Sequence, residues 1–352
     1  MKVVQLTPWY SPHIGGVELH VKSISEGLRR LGCDVKIYTF TKSGEKDTQS
    51  FRFIRIPSVN ECYSMLPFPN LLTQLLSSGA DIVHAHSYGY PMAWAAALVR
   101  KSRGIPFVYT LHSDPYSRVY PFNDAGRLLP VKKCDIVIAT TKFEEEHLNQ
   151  MGISSTKIRI IPQGLDPRPV GSKPIPEPYI LCLGRVVFHH KGQDMLLRAY
   201  QNGKFHHKLV FAGDGVDLPK LRKMAAGDPR ILVLGRVTDP EKWAWLSNAD
   251  LVVMPSRLEP YGLVAMEALA LGRRLVVTRV GGLQHIAAPY AIPTEPNPVS
   301  LSEAMQTALQ GDPQLRHADF SAPSWEAVSQ ETLKVYAEAI EQRRRAEPLG
   351  LR

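Results

Sequence analysis

The 352-residue chain is poor in cysteine: Cys33, Cys62, Cys134 and Cys182 form no CxxC and no close pair. This argues against a disulfide framework or a thiolate metal site and fits a reducing, cytoplasmic setting. Cys182 sits inside the apolar run Tyr179-Ile180-Leu181-Cys182-Leu183, which marks it as inert core. No stretch approaches the ~18 apolar residues of a spanning helix. Residues 1–6 run straight into a strand with no signal-peptide h-region, so no leader is expected. No Gly-x-Gly-x-x-Gly is completed, since Gly213-x-Gly215 is followed by Val216-Asp217-Leu218, and no Walker A motif occurs. A dinucleotide dehydrogenase and a P-loop kinase are therefore disfavoured. An Asp-x-Asp pair that could hold Mg²⁺ on a diphosphate is also missing. The formal charge of +9 divides almost evenly at Asp166. So diffuse an excess suits phosphate-rich ligands or an anionic surface. Nucleic acid would call for a denser patch with interleaved aromatics, so no nucleic-acid partner is expected.

What is present is a repeated strand–loop–helix pattern, on a length that predicts two domains. Apolar runs predict strands at residues 3–6, 35–40, 53–56, 82–85, 107–111, 136–139 and 158–161. A second series follows at 179–183, 209–212, 231–234, 251–254 and 275–278. Continuous apolar strands alternating with helices predict α/β architecture, two Rossmann-like doubly wound domains with parallel sheets. A helix is predicted over 18–31 from Val21, Ile24, Leu28 and Leu31, stopped by Gly32. Asp239-Pro240-Glu241 predicts an N-cap at Asp239 with proline at N1. The proline-rich break at 162–178 predicts domains at 1–166 and 167–324, with a last helix at about 325–345. Ligands of such sheets bind at the carboxyl ends of the strands, here expected in a cleft between the domains.

The segment 251–272 is a strand, a loop carrying Glu259, and a helix that is apolar on every side except at Glu267. Such a helix is buried, and a buried carboxylate needs partners. Vicinal ribose hydroxyls would serve, and so would Arg257, Arg273 or Arg274; both readings stand. The loop after 179–183 carries Arg185 and Lys191, with the next helix expected near Asp194. The two cations either bind a diphosphate with help from the helix N-terminus or are solvated surface charges, in isolation the commoner case. Gly15-Gly16, Gly213-Asp214-Gly215 and Gly281-Gly282 sit in βα loops where glycine lets backbone N–H groups approach phosphate, or simply makes a tight turn. His84 and His86 share one face of a strand and His112 ends another. They could act as acid or base, bind a metal, or sit satisfied in the core. No carboxylate at ligand spacing accompanies them, so no metal is expected. The proline-rich apolar residues 63–72 either touch a lipid-linked acceptor or membrane surface, or pack beneath a loop; packing is the commoner outcome.

Taken together, the motifs resemble the retaining GT-B glycosyltransferases of glycosyltransferase family four, nearly end to end. The glycine loop at residues 8–18, with Gly15-Gly16-Val17-Glu18, is similar to the family's N-terminal loop. Asp81-Ile82-Val83-His84-Ala85-His86 and Thr110-Leu111-His112 resemble two signatures of the acceptor-side domain. Ile161-Pro162-Gln163-Gly164-Leu165-Asp166 is similar to the family's linker, with Gln163 where asparagine is usual. Gly184-Arg185 with Lys191-Gly192 resembles the diphosphate loop. Glu259 and Glu267, with seven residues between them, are similar to the family's two glutamates, the most specific of these signals. Trp325 and Tyr336 resemble the terminal helix that packs back on the first domain. Gln284-His285 departs from the family's usual Pro-Glu, which bears on the choice of donor sugar.

The resemblance implies a metal-independent, front-face transfer of a sugar from a nucleoside-diphosphate sugar to an acceptor hydroxyl, with the donor as a substrate and no cofactor. It implies that Arg185 and Lys191 hold the diphosphate, Glu267 the ribose and Glu259 the donor-sugar hydroxyls. His112 is expected near the reacting sugar, Gly16 to offer a backbone N–H, and Val237, after Arg236, to meet the base. Gly15, Gly213, Gly262 and Leu263 are expected to line the donor, and His84 and His86 the acceptor side. A sugar, a lipid-linked sugar or a small molecule is the expected acceptor, with a peripheral membrane contact and a monomer or homodimer both open. An epimerase or another GT-B enzyme such as a phosphorylase, and a non-catalytic nucleotide-sugar binder, are the alternatives.

Overall fold

The computed structural model describes residues 1–10, 15–39, 52–55, 68–87, 91–112, 124–166, 170–311 and 320–346. It forms two compact units, Met1–Gly164 with Pro323–Arg352 and Leu165–Ala322.

The first unit alternates β1 (Lys2–Thr7), α1 (Gly16–Arg30), β2 (Asp34–Thr39), β3 (Arg52–Arg55), α2 (Phe68–Leu76), β4 (Ile82–His86), α3 (Pro91–Arg103), β5 (Phe107–Thr110), α4 (Asp124–Lys133), β6 (Ile136–Ala139), α5 (Lys142–Gln150) and β7 (Ile158–Ile160). The seven parallel strands lie in the order β3-β2-β1-β4-β5-β6-β7. Both faces are buried: Val4, Leu6, Val83, Phe107 and Tyr109 pack on one side and Val3, Ile37, Ile82, Val108 and Ile136 on the other. That is why these strands read as continuous apolar runs rather than alternating ones. The order reverses between β1 and β4. Successive loops leave to opposite faces there, so the carboxyl ends of these two strands flank a crevice.

The second unit repeats the plan with β8 (Tyr179–Leu183), α6 (Phe188–Lys191), α7 (Gln193–Asn202), β9 (Lys208–Ala212), α8 (Leu218–Ala225), β10 (Ile231–Gly235), α9 (Asp239–Asn248), β11 (Leu251–Met254), α10 (Leu263–Ala270), β12 (Leu275–Thr278), α11 (Leu283–Ile286), β13 (Ile292–Thr294) and α12 (Pro298–Gln310). Its parallel order is β10-β9-β8-β11-β12-β13, with the reversal between β8 and β11. Cys182 is buried in this core, and burial pushes its thiol up to about 12, as an inert core cysteine requires.

The last helix, α13 (Trp325–Ala346), belongs to the first unit. Its Trp325, Val328, Val335, Tyr336 and Ala339 share a core with Val21, Ile24 and Leu28 of α1. The two helices meet closely at Gly27, where a Cβ would lie 2.0 Å from Ser329 Oγ.

Three sequence expectations need correction, and a fourth reading can be followed in part. The cap of α9 is Thr238, not Asp239: its side chain accepts from the Glu241 N–H, and the Glu241 carboxylate accepts from the Thr238 N–H at 2.7 Å. This reciprocal box outcompetes a lone aspartate. The first helix starts at Gly16 rather than 18. Strand β13 was missed because it is three residues long and contains Pro293. Of the apolar stretch 63–72, residues 63–67 lie outside the described residues. Leu71 is fully buried and the partly buried Leu72 packs against the same core, as the packing alternative expects. No helix among the described residues is long and apolar enough to cross one.

Candidate active site

In the second unit, the loops after β8 and β11 flank the strand reversal and carry Arg185, Lys191 and Glu259. Arg185 is exposed and makes no ion pair among the described residues. Lys191 is not in an open loop, as the sequence suggested, but closes the single helical turn α6. Gly192 then turns the chain into α7, which begins at Gln193, in the left-handed conformation (φ +64°); a Cβ there would lie 2.0 Å from the Pro255 carbonyl oxygen. Glycine is required on both counts.

Arg257 ties this turn to the β11 loop. The backbone N–H groups of Arg257 and Leu258 donate to the His190 carbonyl at 2.7 and 3.0 Å. The Arg257 guanidinium donates to the Phe188 carbonyl at 2.5 Å and bidentately to Asp194 at 2.7 and 2.9 Å. Lys191 is thereby brought to Glu259, and the two form an ion pair through Nζ and Oε2. The Ser256 hydroxyl lies 3.5 Å from the same oxygen. Glu259 is only 6% exposed, so a carboxylate and an ammonium meet at the rim of the sheet with little water around the acid.

The glycines of the neighbouring loops serve first in packing. A Cβ on Gly213 would lie 1.9 Å from the Gly184 carbonyl oxygen, and its N–H donates to the Gly235 carbonyl at 2.7 Å. The Gly282 N–H donates to the Glu259 carbonyl at 2.9 Å. These two N–H groups, expected to approach phosphate, are engaged by neighbouring backbone instead. Gly262 caps α10 with φ +99°, and Leu263 is the first residue of that helix.

Glu267 is 4% exposed, and its cationic partner is none of the three arginines considered. Lys242 of α9 donates to its Oε1 at 2.5 Å, while Arg273 and Arg274 bond the carbonyls of Leu271 and Leu309. The need for a cation was legible in the sequence. Lys242 lies 25 residues upstream on another helix, which hid it. Val237 is half-buried immediately before the Thr238 cap, and exposed Arg236 lies 3.6 Å from Asp214. His285, where the family usually has an acid, is exposed on α11.

In the first unit, Gly15 caps α1 without a side-chain hydrogen bond and Gly16 is its first residue. The helix therefore begins with N–H groups that have no intrahelical acceptor. The Glu18 carboxylate folds back over this end, 2.5 Å from where a Gly15 Cβ would be. His84 and His86, expected on the acceptor side, are buried in the core, 0% and 1% exposed. Every ring nitrogen of the two is bonded, His84 to Tyr336 and Thr110 at 2.7 Å each, and His86 to Gln5 at 2.7 Å and to His112 at 3.0 Å.

His112 is the partly exposed member of this group, and it is held at φ +53°. Ser87, at the end of the adjacent strand, has φ +73°. Left-handed backbone at a residue other than glycine stores about 1–3 kcal/mol, and such strain gathers at functional sites. His20 of α1 completes the cluster, its ring centroid 4.3 Å from that of His112; nothing in the sequence signals it beyond its place beside the buried Val21. Burial lowers the His20 pKa to about 3, against a side-chain hydrogen bond to Gln163 that raises it. Burial, and then the neighbouring rings, hold His84, His86 and His112 well below the ordinary imidazole value. One nitrogen each of His20, His86 and His112 lie within 4.8 Å of one another, a spacing a metal ion could use. His86 Nδ1 and His112 Nε2 are already hydrogen-bonded to each other.

Residues 14–168 match the family model described as Glycosyltransferase Family 4, and residues 177–311 match that described as Glycosyl transferases group 1. An uncharacterised glycosyltransferase of Methanocaldococcus jannaschii is 26% identical over 357 residues, 96% of this chain and 98% of its own. Among solved structures, sucrose-phosphate synthase from Thermosynechococcus elongatus matches with a TM-score of 0.81 at 22% identity, over 97% of this chain and 99% of that one. HepE of Anabaena, solved with UDP and glucose, matches with a TM-score of 0.74 at 17% identity, over 98% and 99%. The paired doubly wound units have the GT-B fold, and the chain belongs to glycosyltransferase family four and is a glycosyltransferase.

Proposed function

We propose that the enzyme transfers a sugar from a nucleoside-diphosphate sugar to an acceptor hydroxyl with retention of configuration and without a metal ion. The observation that carries this reading is the Lys191–Glu259 pair at the strand reversal of the second unit. A donor can exchange this pair: its phosphate takes Lys191 and its sugar hydroxyls take Glu259. Arg185, exposed on the same loop, adds a second cation, which answers the missing Asp-x-Asp pair. Glu267, oriented by Lys242, accepts the ribose hydroxyls. UDP is the first nucleotide to test, because HepE is solved with it.

In the reaction the bond from the anomeric carbon to the diphosphate oxygen breaks, and the acceptor oxygen bonds to that carbon on the same face. The acceptor proton passes to a leaving-group oxygen, giving a glycoside and a nucleoside diphosphate. No separate base is needed. Lys191 and Arg185 stabilise the charge that grows on the diphosphate. Turnover of Lys191→Ala and of Arg185→Ala should each fall ~10²–10³-fold. Intact turnover in both variants would remove the assignment. The anomer of the product, read by NMR, tests retention, and activity unchanged by EDTA tests metal independence. A donor altered without any acceptor would point to an epimerase instead.

A further inference from the structure

The histidines of the first unit are not isolated core rings but members of one unbroken chain of hydrogen bonds. It runs from His112 Nε2 to His86 Nδ1 at 3.0 Å, and from His86 Nε2 to Gln5 Oε1 at 2.7 Å. Gln5 Nε2 then donates to the Tyr336 hydroxyl at 2.9 Å. That hydroxyl meets His84 Nδ1 at 2.7 Å, and His84 Nε2 meets Thr110 Oγ1 at 2.7 Å. Four elements contribute: β1, β4, α13 and the end of β5.

Proton counting fixes the direction. Gln5 Oε1 only accepts, so His86 carries its proton on Nε2. The Gln5 amide nitrogen only donates, so Tyr336 accepts from it and sends its own proton to His84 Nδ1. His84 is then protonated at Nε2 and donates to Thr110. A neutral His86 has a bare Nδ1, which must receive the His112 proton from Nε2. His112 Nδ1 is left with a lone pair; although the residue is partly exposed, that atom is itself buried, and among the described residues it has no partner. Turning the Gln5 amide over would reverse every bond and leave a buried N–H orphaned on His112, which folded proteins avoid more strictly than an orphaned acceptor.

We infer that Gln5, His86 and Tyr336 are positioning residues: their polarised chain holds His112 in the Nε2–H tautomer and presents its Nδ1 as a fixed acceptor for a sugar hydroxyl. The ligand part of this inference rests on the transfer reaction proposed above; the tautomer part does not. The strained backbone of His112 agrees with a ring held in one orientation by its partners. Burial keeps the rings neutral, so the chain has no spare proton with which to rearrange.

The test is long-range ¹⁵N–¹H NMR of the imidazoles in the full-length protein, which reads the tautomer directly. The expected result is Nε2–H on His84, His86 and His112 from pH 8 down to pH 6. Nδ1–H on these rings, or a mixture, overturns the inference. So does the appearance of tetrahedral Co²⁺ absorption on titration with cobalt, since a metal would have to replace the shared proton. Gln5→Leu and Tyr336→Phe, each checked for native near-UV dichroism, should turn His112 into a mixture of tautomers. Both should also lower kcat about tenfold, the equivalent of one lost hydrogen bond of ordinary strength, with donor KM unchanged. An unchanged tautomer in both folded variants overturns the relay. If the tautomers are as expected but kcat does not fall, the relay stands and the role of His112 in transfer fails.

Discussion

A neutral imidazole buried in a folded domain makes stability depend on acidity in one direction only. In the unfolded chain such a ring takes a proton near pH 6.5. Folded His20 does not do so until about pH 3, and His84, His86 and His112 are shifted the same way. Between those values the unfolded state binds more protons, so stability is complete above pH 6.5 and is lost as the pH falls below it. Each ring that stays neutral removes about 1.4 kcal/mol per pH unit. Urea unfolding should give a steady midpoint from pH 8 to 7 and a steep fall from pH 6.5 to 5. A flat profile to pH 5 would mean that the folded cluster accepts protons. Much of this site was hidden at the level of residues. The spacing of His84 and His86 told that they share a face, but their partners Gln5 and Tyr336 stand 331 positions apart in the chain. Glu267 advertised its need for a cation by sitting alone on an apolar helix, yet nothing local pointed to Lys242.

Elements were more legible, because each carries its own periodicity. The strands at 136–139, 179–183, 251–254 and 275–278 coincide with the apolar runs that predicted them. Local chemistry misled where two signals competed: Asp239 is a good cap by itself, but Thr238 with Glu241 forms two bonds where Asp239 would form one. The turn α6 was invisible because four residues make too short a helix for a pattern. At Gly27 the interior of α1 holds a poor helix former, and the cause is α13 pressed against it. Gly27→Ala should therefore destabilise the first unit by about 1–3 kcal/mol, even though alanine favours a helix by about 1 kcal/mol. A rise in the thermal midpoint would show that the helices separate to make room.

At the scale of the molecule, the two units share one plan, a parallel sheet whose order reverses between its first and fourth strands in chain order. The proline-rich break was readable from composition, and so was the α/β class. The first unit is incomplete without α13, the terminal helix that Trp325 and Tyr336 signalled by resemblance; it supplies Trp325, Val328, Val335, Tyr336 and Ala339 to the core. A chain ending at Ala322 should lose the cooperative thermal transition of the first unit and keep that of the second. Two retained transitions would show that α13 is dispensable.

The return of α13 also bears on synthesis. A ribosome emits residues 1–164 first, yet these cannot close their core until residues 323–346 emerge. The second unit lies wholly between, so translating it imposes a wait on the order of ten seconds at ~5–20 residues per second. During that interval Val21, Ile24 and Leu28 of α1 have lost part of their eventual cover. The second unit is thus the first that can mature on the ribosome.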